Sequence, residues 1–216
     1  ILNQASKDVF IPVTAGGGIR NEKDIREVLK SGADKIMVNS SILANPTLIN
    51  QFANIFGSST ICANIEAKKI NNDYYCYYNF GRENSGKKVS DWVNEVQDRG
   101  IGEILLSSVD YDGLKKGMNM ELLKYLFSKC NIKVPLIFGS GIGKLSDLND
   151  DLKSFEISGI FFGSFLHYNN LDLSKNQNDI EGNRFFLDEL KKKEHKEYNI
   201  FSIKKFLKKN NFDVRV

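Results

Sequence analysis

Two segments of this chain repeat one another, and the repeat restricts its fold more than any other feature. "IPVTAGGGIRNEKDIREVLKSGADKIMVNSSIL", starting at Ile11, runs in parallel with "VPLIFGSGIGKLSDLNDDLKSFEISGIFFGSFL", starting at Val134. Pro12 falls on Pro135, Gly16-Gly17-Gly18 on Gly139-Ser140-Gly141, and Asp24 on Asp147. Each copy reads as strand, glycine turn, helix, strand and small-residue turn. An internal duplication of this kind marks repeated supersecondary units, and here it suits a closed barrel of βα units. The rest of the chain keeps the alternation of strand and helix expected of a parallel sheet with crossover helices.

The local signals set the elements. A strand is expected over Val9 to Thr14. Asn21 then caps a helix with Ile25, Val28 and Leu29 on one face and Gly32 past its end. A strand follows at Lys35 to Asn39, and Asn45-Pro46 opens a helix buried through Leu48, Ile49, Phe52 and Phe56. Thr60 to Lys68 and Tyr74 to Phe80 read as strands joined by a tight turn at Asn71-Asn72-Asp73. Helices at Ser90 to Arg99, Glu121 to Ser128 and Leu145 to Lys153 lead into strands at Glu103 to Ser107, Val134 to Phe138 and Ile160 to Phe162. A helix over Ser202 to Lys209 precedes the closing "NFDVRV". Residues 171–198 are polar and rich in Asn and Lys, and read as a surface insert in a single domain spanning 1–216.

Composition narrows the function classes. With 216 residues, 41% of them hydrophobic, the chain can bury a real core. The net charge of +3 comes largely from lysines near the end, Lys191 to Lys193 and Lys204 to Lys209. Only one aromatic, Phe206, interrupts that basic run, which argues against nucleic acid as a partner. Cys62, Cys76 and Cys130 are odd in number and lack Cys-x-x-Cys spacing, so they read as free thiols. Two histidines, His167 and His195, exclude a histidine-rich metal site and leave few places for a Ser-His-Asp triad. No apolar run approaches membrane-spanning length, and no basic segment followed by an apolar core opens the chain. A cytoplasmic protein, with neither membrane nor metal or other cofactor, is expected.

The glycine turns can hold chemistry. Glycine after a parallel strand permits positive φ and close approach of a ligand to the backbone, and amides exposed there attract phosphate. Tight turning alone would also explain one Gly-Gly-Gly; the second copy favours two anion sites facing one another across a barrel mouth. Neither turn fits a dinucleotide or P-loop pattern. Glu66, in "ANIEAKK", and Asp110 and Asp112, in "SSVDYDG", end strands where a barrel places its mouth and could shuttle protons; singly, each could equally be a solvated loop charge. Lys35 and Glu103 each open a strand and should meet near the barrel floor, as a structural plug or as a gate.

These residues, with "GRENSGKKVSDWVNEVQDRGIGEILLSSVDYDGLKKGMNMELL", "GSGIGKLSDL" and the closing "VRV", resemble the cyclase subunit of imidazole glycerol phosphate synthase. The resemblance covers nearly all of the chain outside the polar insert. It implies a (β/α)₈ TIM barrel of the ribulose-phosphate-binding type with half-barrel symmetry. It also implies a glutaminase subunit as partner, whose ammonia crosses the barrel and joins a bisphosphorylated ribulosyl substrate. The products are imidazole glycerol phosphate and aminoimidazole carboxamide ribotide, in histidine biosynthesis.

Carried over by position, the resemblance implies one phosphate on Gly18 and Ser40, beside Gly17. The other falls on Gly113, Gly141, Gly163 and Ser164, beside Gly139 and Ser140. Lys35 and Glu103 match gate residues, Asp34 the face that docks the glutaminase, and Asp112 an acid of the mouth. Three departures stand out. A catalytic aspartate of the family is Glu66 here, which reaches about 1.5 Å further. A serine of its seventh-strand turn is Gly139, with Ser140 one place later. Finally, "IPVT" aligns with the third strand, so the first two βα units, roughly sixty residues, are expected to be missing from this chain along with the other catalytic aspartate. Two further roles stay open on these residues: a relative that channels ammonia into sugar amidation for surface glycans, or a barrel that only docks a glutaminase.

Overall fold

The computed structural model describes residues 2–169 and 198–215. Six parallel strands form a curled sheet: β1 (Thr14–Gly16), β2 (Lys35–Val38), β3 (Ile61–Ile70), β6 (Glu103–Ser108), β7 (Leu136–Gly139) and β8 (Gly159–Phe161). They lie in the order β1-β2-β3-β6-β7-β8, every neighbouring pair parallel. This is the strand sequence of a (β/α)₈ barrel, in which each strand pairs with the one before it. Two more strands, β4 (Asp73–Tyr78) and β5 (Glu83–Lys88), are antiparallel and leave the path as a ribbon from the far end of β3. The polar insert expected at 171–198 falls outside the described residues except for Tyr198, whose ring stacks on Phe165 with centroids 5.0 Å apart.

Helices cover the outer face of the sheet. After the short α1 (Leu2–Ala5), helix α2 (Glu22–Lys30) follows β1, α3 (Ser40–Ala44) and α4 (Thr47–Phe56) follow β2, and α5 (Val89–Asp98) follows the ribbon. Helix α6 (Met120–Lys129) follows β6, α7 (Ser164–Asn169) follows β8, and α8 (Ile200–Lys209) packs near the end. The alternation inside β3 explains the layering. Ala63, Ile65 and Ala67 are fully or almost fully buried against helices, while Asn64, Glu66 and Lys68 on the opposite face keep partial exposure. Ile25, Ile49, Phe52, Trp92, Val93, Val96, Leu122 and Leu126 supply the helical side of that core.

Three local expectations are corrected, and one strand carried no sequence signal. The strand expected from Val9 begins at Thr14, where the ladder to β2 starts opposite Lys35; the Asp34 carboxylate takes the Val13 amide at 2.8 Å, and Phe10 and Ile11 are 94% and 72% exposed. The helix expected over Leu145 to Lys153 is two 3₁₀ turns, Leu145–Asp147 and Asp150–Ser154. Asn149 restarts the chain there by accepting from the Asp151 amide at 3.0 Å, so no continuous α ladder forms. Strand β5, "ENSGKK", has no apolar alternation and is held by pairing with β4 and by Lys88 on Asp73 at 2.7 Å. The small-residue turn after β2 is itself the helix α3.

Candidate active site

The C-terminal ends of β1, β2 and β3 border a cleft of about 790 Å³. Gly16, Gly17 and Gly18 form one wall, Asn39, Ser40 and Ser41 the next, and Asn64 and Glu66 the third, with Asn79 and Phe80 of the ribbon at the rim. Gly17 and Gly18 have φ of 104° and 73°, and a Cβ on Gly16 would lie 2.7 Å from the Met37 carbonyl oxygen. The three glycines therefore serve both close packing against β2 and a left-handed turn that leaves the backbone bare. The start of α2 is already capped: Asp24 Oδ2 accepts from the Arg20 and Asn21 amides at 2.7 and 3.2 Å, and Asn21 accepts from Asp24 at 3.1 Å. The cleft is bordered by the bare Gly17-Gly18 turn and by Ser40.

Glu66 stands on the inward face of β3. Its Oε2 accepts the Gly81 amide at 3.0 Å. Burial is the leading influence on its carboxyl and pushes it above the usual carboxylate range; hydrogen bonds from Gly81 and the Asn64 side chain pull the other way, and the negative charge of Asp112 adds to the rise. A carboxyl so placed holds a proton closer to neutrality than a solvated one does, which suits it to accept and return protons. Asp110, which follows β6, is engaged with the Lys69 amide of β3 at 2.8 Å.

The second glycine turn is built differently. A Cβ on Gly139 would fall 2.5 Å from the Phe161 ring and carbonyl, and one on Gly141 would fall 2.3 Å from the Gly117 carbonyl. Ser140 adopts φ of 113° and is buried, and its Oγ accepts the Ser108 amide at 2.9 Å. Asp112, Ser140, Gly141, Gly163 and Ser164 do converge, but the space among them is only about 10 Å³, the volume of a single water site. Gly113 lies nearby with φ of 71° and open space where a Cβ would point. Asp147 repeats the role of Asp24 here, accepting from the Gly143 and Lys144 amides at 2.9 and 3.1 Å.

At the opposite end of the strands, Lys35 Nζ lies 2.5 Å from Glu103 Oε2, and Glu103 is buried. Cys62 sits beside this pair, its thiol pushed up to about 12 mainly by burial and secondarily by the Glu103 charge. Asp34, on the same end, is exposed, and one of its oxygens is occupied by the Val13 amide.

The sequence pattern of the family described as histidine biosynthesis protein matches residues 1–172. The chain belongs to that family. The imidazole glycerol phosphate synthase subunit HisF of Natranaerobius thermophilus is 37% identical over 178 residues, 82% of this chain and 70% of that protein. The corresponding subunit of Campylobacter concisus is 37% identical over 185 residues, 85% of this chain and 71% of that protein. That of Dictyoglomus turgidum is 40% identical over 169 residues, 78% of this chain and 66% of that protein. Within the histidine biosynthesis family, the chain therefore sides with the HisF subunit.

Of the residues that the family resemblance singles out, Gly17, Gly18, Ser40 and Glu66 gather in one open cleft, and Asp112, Gly141, Gly163 and Ser164 gather in a closed one. Four residues of the site were not singled out by the sequence pattern: three line the cleft, and the fourth, Gly81, binds Glu66. Asn39 presents a buried Oδ1 with no partner among the described residues, while its Nδ2 donates to the Tyr77 carbonyl at 3.4 Å. Asn64 could have been found from strand periodicity, being two residues before Glu66 on the same face. Phe80 and Gly81 carried no such signal, because only the fold of the β4–β5 ribbon brings its tip over β3.

Proposed function

We propose that this chain carries out the cyclase reaction of imidazole glycerol phosphate synthase, joining ammonia to a bisphosphorylated ribulosyl substrate to give imidazole glycerol phosphate and aminoimidazole carboxamide ribotide. The observation that carries the reading is the single cleft in which a bare glycine turn, a serine hydroxyl and a carboxyl with a raised pKa face one another. In this reading the Gly17-Gly18 amides and Ser40 Oγ hold one phosphate. The second phosphate goes to Gly113, Gly141, Gly163 and Ser164 with Gly139 and Ser140 behind them, and that turn has to part from Phe161 to admit it. The fixed amides act as preformed donors for charge that stays on the substrate throughout.

Addition of ammonia to a carbonyl and loss of water move two protons from nitrogen to oxygen, one in each step, and in this reading Glu66 accepts and returns each of them. Asp112, whose charge already acts on Glu66, stands across the mouth as the second acid. Lys35 and Glu103 form the gate through which ammonia enters from the strand floor, and Asp34 belongs to the face that receives a glutaminase subunit. The test is complementation of a histidine auxotroph that lacks its cyclase subunit. Growth with the wild-type gene, and its loss with Glu66→Gln at equal soluble protein, is expected. Absence of growth with the wild-type gene despite soluble protein overturns the assignment.

A further inference from the structure

The tip of the β4–β5 ribbon is an aromatic feature that packing does not explain. Asn79, Phe80 and Gly81 take left-handed backbone in succession, with φ of 51°, 59° and 69°. A bulky residue such as phenylalanine is a rare occupant of that region, and strain of this kind gathers at functional sites. The conformation does not bury the ring, since Phe80 is 88% exposed. It places the residue instead at the rim of the 790 Å³ cleft that the glycine turn also lines.

The tip is braced on both sides. Asn79 Nδ2 donates to Glu83 Oε1 at 2.6 Å, Ser85 Oγ donates to the Cys76 carbonyl at 2.7 Å, and the Gly81 amide is tied to Glu66. Phe80 is therefore an exposed ring on a braced backbone, one residue from the amide that contacts Glu66. An aromatic face presented at the edge of such a cleft can stack on a flat ring.

We propose that Phe80 is a specificity-determining residue that stacks on the planar nitrogen heterocycle of a phosphorylated, nucleotide-like ligand while the Gly17-Gly18 turn and Ser40 hold its phosphate. The inference rests on the proposed function above for the identity of that ligand. It adds that discrimination for the ring comes from the ribbon and not from the parallel strands. The hydrogen bond from Gly81 to Glu66 links the two parts, so a ligand seated under Phe80 lies within reach of the carboxyl.

The experiment compares three probes on the same chain by calorimetric titration: aminoimidazole carboxamide ribotide, ribose 5-phosphate, which lacks the ring, and inorganic phosphate. The wild-type chain is expected to prefer the ribotide over ribose 5-phosphate by about tenfold, ~1.4 kcal/mol. Phe80→Ala is expected to erase that preference while leaving the affinity for ribose 5-phosphate and the thermal midpoint unchanged, as befits an exposed side chain. Phe80→Trp is expected to keep the preference and to gain a fluorescence change on ribotide addition that the wild-type chain, with Trp92 alone, does not give. Retention of the full preference in Phe80→Ala overturns the proposal. Equal binding of ribotide and ribose 5-phosphate by the wild-type chain overturns it too, yet leaves the phosphate grip standing. Failure of all three probes to bind the wild-type chain overturns both.

Discussion

Glu66 concentrates the chemistry of the cleft in one side chain. In an unfolded chain its carboxyl would ionise at about 4.3, whereas burial raises it in the native state. Below the unfolded value both states hold the proton and the shift contributes nothing. Above it the unfolded chain ionises first, and native stability falls as pH rises until the folded carboxyl is also ionised. Glu66→Gln removes this penalty and retains an oxygen for the Gly81 amide. It is therefore expected to be more stable than the wild-type chain at pH 7 and equal to it below about pH 4, as urea unfolding across that range will register. The same substitution is expected to cut turnover by roughly a hundredfold to ten-thousandfold, measured with ammonium salt as the nitrogen source. That Glu66 could serve as an acid/base group was legible from its place after a strand. The direction of its pKa was not, because burial and the Gly81 donor come from elements distant in sequence.

At the scale of elements, the repeated Asp24 and Asp147 show how a duplicated sequence becomes duplicated structure. Each carboxylate closes the two amides that follow a glycine turn, at 2.7 and 3.2 Å in one copy and 2.9 and 3.1 Å in the other. Loss of either, as Asp24→Ala or Asp147→Ala, is expected to cost about 1 kcal/mol, a fall in thermal midpoint of roughly 2–4 °C for a chain of this size. Scanning calorimetry of both variants checks whether the two caps are equivalent. Beyond the caps the two copies diverge. Asp24 starts a regular α-helix, whereas Asp147 is succeeded by Asn149, a second capping residue, and the segment stays in 3₁₀ turns. The helix at α2 was readable because cap, apolar spacing and stop agree. Strand β5 was not, because its "ENSGKK" becomes extended only by pairing with β4.

Across the whole molecule, the described sheet pairs β1 and β8 on one side only, and apolar surface flanks both ends. Phe10 and Ile11 stand exposed beside β1, and a groove of about 600 Å³ beside β8 is lined by Ile160, Phe162, Ile203, Leu207 and Phe212. Unpaired strand edges next to apolar surface invite association. This chain in isolation is expected to show an apparent mass that rises with concentration in sedimentation velocity runs, and Phe10→Lys with Ile11→Lys is expected to suppress the rise. The order of the βα units, the two glycine turns and the acid near the end of β3 can be read along the chain, since each depends on neighbours within a few residues. The inequality of the turns, one bordering about 790 Å³ and the other about 10 Å³, arises in the folded molecule. The reason is packing between remote segments: Phe161 and Ser140 fill the second turn, while at the first the strand ends leave open space and the ribbon sets Phe80 at its rim.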